Sequence, residues 1–215
     1  MINSYKDLTL EKYIELYSID ITSMEEFDIQ ATMIAILADM TVDEVLDLSI
    51  SEYRKLAMQM QFLKEPPKSR KHCSRIKIDG KEYVVLEKVE DMTAGQYIDY
   101  ETYLQQNDIK MLPYILSCLI IPKGEKYGDS DTSNELMQLS VEEALSIANF
   151  FMKRSRSLIR GTLLSLEWMM KKKARKMKDE TMKAEMEKAV KEIHSLQSII
   201  KNGDGFLALT QYLKR

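Results

Sequence analysis

Ser23 with Glu26, Thr41 with Glu44, Ser49 with Glu52, Thr93 with Gln96, and Ser140 with Glu143 each set a Ser or Thr three residues ahead of a Glu or Gln in this 215-residue chain. This spacing is a reciprocal helix start. The hydroxyl accepts from the amide three residues on, and the longer side chain reaches back to the amide of the capping residue. Five such starts commit much of the chain to helix. Only seven Gly and four Pro are present to interrupt it, and 15 Met supply adaptable apolar side chains. The expected fold is mainly α: a helical bundle with one small β-hairpin and a long charged C-terminal helical arm.

The first starts define an N-terminal helical lobe over residues 1–65, with helices near Leu10 to Tyr17, Met24 to Asp39, Val42 to Leu48 and Ser51 to Lys64. Ile29, Met33, Ile36 and Leu37 are spaced for one buried face. Glu65-Pro-Pro-Lys68 closes the lobe, because proline lacks the amide donor and pushes its predecessor out of the α region. Residues 66–92 then form a linker and a hairpin, in which Arg75-Ile-Lys-Ile78 and Lys81-Glu-Tyr-Val-Val-Leu86 flank Asp79-Gly80. That dipeptide supplies the positive φ angles of a type I′ turn, and a ribbon of two strands must lean on helices to be stable.

A helical core is expected over residues 93–170. It opens with the capped helix from Thr93, continues with an apolar helix from Met111 to Ile121 and a polar loop from Pro122 to Asn134, and ends in a long helix from Val141. Residues 171–215 form the charged arm, with a thin apolar stripe through Met177, Met182, Met186 and Ile193. Asn202-Gly203-Asp204-Gly205 stops it, and Phe206 to Leu213 reads as a short terminal helix.

A content of 45% hydrophobic and 30% charged residues suits a folded globular chain. The net charge of -3 provides no overall field toward nucleic acid or an anionic bilayer. The longest largely apolar run, Ile115 to Ile121 with Ser117 inside it, is far short of the roughly 20 residues a membrane span needs. Cys73 and Cys118 have no C-x-x-C partner, and Met1 to Tyr17 is interleaved with charges, so a reducing cytoplasm is the expected compartment.

No catalytic set emerges. The chain lacks a G-x-S-x-G elbow and a phosphate-cradling glycine loop, and His72 beside Cys73 offers too few partners for structural zinc. Asp129, Asp131 and Ser133 alternate like calcium ligands, but Asn134 replaces the glycine and Ser140 the bidentate Glu. No enzyme activity, metal or cofactor is expected.

The basic run Lys171, Lys172, Lys173, Arg175, Lys176 and Lys178 is the one candidate for phosphate contact. Carboxylates follow at once at Asp179 and Glu180, and no interleaved aromatics are present to stack bases, so a solvated helix face is expected there. Nucleic acid is an alternative only. The candidate partner surface is Tyr97, Tyr100, Tyr103 and Leu104 together with Trp168, Met177, Met182 and Met186, because aromatic and Met side chains supply much of interface energy. The bland counterpart for the Met stripe is packing inside a helical hairpin.

Four stretches carry a resemblance: Ile78-Asp-Gly-Lys-Glu-Tyr83, Met92-Thr-Ala-Gly-Gln-Tyr-Ile-Asp99, Leu119-Ile-Ile-Pro-Lys-Gly-Glu-Lys-Tyr127, and Leu139-Ser-Val-Glu-Glu-Ala-Leu145 with Phe150-Phe151. In their wording the chain resembles small bacteriophage proteins, found in phages and prophages of Bacteroides-like hosts, described as tail-assembly-chaperone-like. The similarity spans about Ser74 to Met170 and leaves the charged arm outside. It implies a non-enzymatic morphogenesis protein in the host cytoplasm or the virion. Its implied partners are phage structural proteins (tape measure, tail tube or connector) or further copies of itself, bound through apolar helix faces. The alternative within that setting is a structural ring or connector protein.

Overall fold

The computed structural model of the chain describes residues 1–68, 73–174 and 180–202. They are mostly helical, with one small three-stranded antiparallel sheet. The chain forms two compact units, Met1–Phe150 and Phe151–Arg215.

The first unit begins with α1 (Leu10–Tyr17), where the Thr9 hydroxyl accepts from the Lys12 amide at 3.4 Å. Next come α2 (Glu26–Ala38), α3 (Val42–Leu46) and α4 (Ile50–Gln59), the last running into a 3₁₀ turn at Met60–Lys64. Complete capping boxes open α3 at Thr41 and α4 at Ser49. The start expected at Ser23 does not form, and α2 begins after Glu25 with no side-chain cap. Asp20 takes the amide and hydroxyl of Thr22 at 3.1 and 2.6 Å, and the Met24 amide returns to the Ile21 carbonyl. A local Asx turn thus claims the segment that the cap needed.

The hairpin is present: β1 (Arg75–Ile78) pairs antiparallel with β2 (Lys81–Val85) across a two-residue turn. Asp79 has φ 48° and Gly80 φ 82°, the positive pair that a type I′ turn requires. After α5 (Ala94–Gln105), whose Thr93–Gln96 box is complete, α6 covers only Leu112–Ser117. The helix expected as far as Ile121 stops four residues early. Ile120–Pro122 instead forms β3, pairing Val84 with Ile121 and adding a third strand to the hairpin. The expected polar loop also contains a short helix, α7 (Ser133–Leu136).

The start of the chain is stitched to the start of α8 (Val141–Ala174). The Leu10 amide donates to the Leu139 carbonyl at 2.8 Å, and the Val141 amide to the Leu8 carbonyl at 2.9 Å. Leu8, Leu10, Tyr13, Leu37, Leu112 and Leu116 are fully buried in this unit, and each contributes on the order of 1.5–3 kcal/mol through burial.

In the second unit α8 continues and α9 covers Glu180–Asn202. Glu167 and Ala174 are buried on α8, and Met186, Ala189, Val190 and Ile193 are half-buried on α9. His194 Nδ1 lies 3.6 Å from Glu167 Oε1, which brings the two helices alongside. Among the described side chains of α9 none is fully buried. The expected terminal helix, Phe206 to Leu213, lies outside the described residues.

Candidate functional site

The Thr93–Gln96 capping box fixes where α5 starts, and so which of its side chains turn inward. Gln96 is 2% exposed, and its Nε2 donates to the Cys118 carbonyl at 2.7 Å, tying α5 to the residue that ends α6. Tyr100, one turn on, is 1% exposed. It belongs to the core, and only a rearrangement would present it to a partner. Tyr97, Tyr103 and Leu104 are half-buried, and Ile98, absent from the expected surface, is 62% exposed.

Beside α5 opens a cleft of about 260 Å³ lined by Tyr103, Tyr114, Ile120, Pro122, Tyr127 and Asp131. The rings of Tyr103 and Tyr114 stand 5.6 Å apart, tilted by 38°. At the side of the cleft the Tyr127 hydroxyl donates to Asp99 Oδ2 at 2.8 Å and lies 3.6 Å from Cys118 Sγ. Burial, then the contacts with Cys118 and Asp99, hold the Tyr127 phenol well above its usual range. Burial pushes the Cys118 thiol up to about 11, so it stays protonated at neutral pH. A protonated, fully buried thiol packs as a small apolar group and is a poor nucleophile.

Carboxylates around the neighbouring loop are engaged in turns. Asp131 Oδ1 accepts from the Ser133 amide at 3.0 Å and hydroxyl at 2.7 Å, which holds its pKa below the ordinary carboxylate value, and Asp129 Oδ2 accepts from the Lys126 amide at 2.8 Å. The calcium-like spacing therefore serves loop geometry. Among the described residues no group of three His, Cys, Asp or Glu is gathered to hold a metal. Tyr83 donates to Glu135, and Lys81 sits 3.5 Å from the same carboxylate, anchoring α7 to β2. Chemically, the cleft offers aromatic faces and hydroxyls for packing and hydrogen bonding.

The remaining candidates lie in the second unit. Trp168 is 61% exposed with Lys172 Nζ 4.7 Å over its ring, and Met182 is also exposed. Met186 is half-buried along the seam with α8. Lys171, Lys172 and Lys173 are exposed, and Lys171 reaches Glu167 Oε1 at 2.5 Å. Met177, Arg175, Lys176 and Lys178 lie outside the described residues.

The apolar surface of the N-terminal helices was not among the expected sites. Phe27 is 53% exposed and stacked on Tyr53 with centroids 5.2 Å apart, Ile50 is 72% exposed, and α4 buries no side chain. No local signal marks it, since Leu10 and Val141 hold the same first position of capped helices and are fully buried.

Searches with this chain against protein-family models, curated proteins and solved structures find no match.

Proposed function

We propose that this protein is a non-enzymatic phage morphogenesis factor, similar to tail-assembly chaperones, that holds virion proteins against apolar helix faces in the host cytoplasm. The observation that carries the proposal is the exposure of large apolar side chains on helices: Phe27, Ile50 and Met58 on the N-terminal helices, Ile98 on α5 and Trp168 on α8. Side chains of this kind in water mark surfaces that bury against something else. An exposed apolar helix face suits a partner's own amphipathic or extended segment, which would otherwise aggregate before assembly.

In this proposal the helices of the first unit form the bundle, and α9 with the second half of α8 is the charged arm. The tape-measure or tail-tube protein is the cargo. A structural ring or connector role is the second proposal, favoured by the length of α8, whose 34 residues suit subunit contacts. Co-expression with the virion proteins encoded beside it tests both. Capture of a tail protein in a discrete complex supports the chaperone, self-assembly into a closed ring supports the structural role, and failure of both overturns the proposal.

A further inference from the structure

Two exposed apolar faces of this molecule carry opposite charge. On the first unit, Phe27 stacks on Tyr53, Ile50 stands one turn before Tyr53 on α4, and Leu46, 49% exposed, precedes Ile50 by four residues. Between Tyr13 and Tyr53 the chain holds ten carboxylates and no Lys, Arg or His. On the second unit, Leu164 and Trp168 are 48% and 61% exposed and, four residues apart, share one side of α8. Between Phe151 and Lys178 there are ten Lys or Arg and a single carboxylate, Glu167, which is itself buried against Lys171. Among the described side chains of that stretch Lys153, Arg154, Lys171, Lys172 and Lys173 are exposed, so the charge they show to solvent is cationic.

We propose that the acidic apolar face around Phe27, Leu46 and Ile50 of one copy docks on the basic apolar face around Leu164, Trp168 and Lys172 of a second copy. The interface is head to tail, so each copy keeps one face for a further neighbour, and the contact propagates into a ring or an open chain. The half-buried seam of α9 is consistent with a unit that completes its burial against another chain. Nucleic acid or an anionic bilayer would satisfy the basic face alone and leave Phe27 and Ile50 in water. A second copy satisfies both. Phe27, Ile50 and Trp168 also serve the proposed holding role, so self-association and holding compete for the same faces.

The test is light scattering of the nuclease-treated full chain across a concentration series at 50 mM and 500 mM NaCl, where screening differs strongly. The expected result is a mass rising with concentration above the 25.0 kDa of one chain at low salt, and falling to that value at high salt. Charge reversal on either face alone, Lys171→Glu with Lys172→Glu or Glu26→Lys with Asp47→Lys, returns the low-salt mass to one chain, with circular dichroism unchanged. Mixing the two variants restores association, because the two native faces pair and the two reversed faces are complementary in charge as well. A single-chain mass at every concentration at low salt overturns the proposal. So does association indifferent to both reversals, or association seen only when nucleic acid or anionic vesicles are added.

Discussion

Two polar side chains, both buried, meet opposite fates, and their substitution should show it. Gln96 satisfies both ends of its amide, holding the Thr93 amide and the Cys118 carbonyl. Gln96→Leu leaves that carbonyl without its donor and breaks a cap, and should lower unfolding free energy by about 1–3 kcal/mol in urea titration. The Tyr13 hydroxyl is buried without a partner. Tyr13→Phe should be neutral or stabilising by up to about 1 kcal/mol, since it removes a group that was desolvated for no return. Thiol labelling separates the cysteines: Cys73 is exposed and should react in the native state, and Cys118 only after unfolding. The Asp131 carboxyl is held below its ordinary value by the hydroxyl and amide of Ser133. Its contribution is present above the unfolded pKa and is lost as pH falls through the lower folded value. Asp131→Asn should therefore lower stability at neutral pH, and the difference from the parent should vanish in acid.

At the scale of elements, the signals that were legible were local ones. Thr41, Ser49, Thr93 and Ser140 begin helices with their cap bonds formed, and Asp79-Gly80 makes its hairpin. The misread elements depended on partners distant in sequence. Ile120–Pro122 is a strand because Val84 lies opposite Ile121, and nothing in an apolar run before a proline separates that from the end of a helix. Ser23 failed because Asp20 and Thr22 took the turn first. Ser49→Ala should cost about 1 kcal/mol. Gly80→Val meets open space but must hold φ 82°, so it should cost about 1–2 kcal/mol by chemical denaturation.

Across the whole molecule, the overall charge of -3 concealed how the charge is distributed. Acid is concentrated before Tyr53 and base after Phe151, and their near cancellation reads as neutrality until the units are separated. The candidate surface was partly legible for a similar reason: helical spacing located aromatic and Met residues, but only packing could show that Tyr100 is core while Ile98, Ile50 and Phe27 face water. Trp168→Ala should weaken binding to a held partner about tenfold or more, as loss of an exposed aromatic anchor does, with helix content unchanged.

Holding is tested by following turbidity as the denatured tail-tube or tape-measure protein is diluted into buffer with this chain present at equal molarity. Suppressed aggregation, with the two proteins recovered in one soluble complex, is the predicted result. Turbidity that rises as fast with the chain as without it would contradict the account.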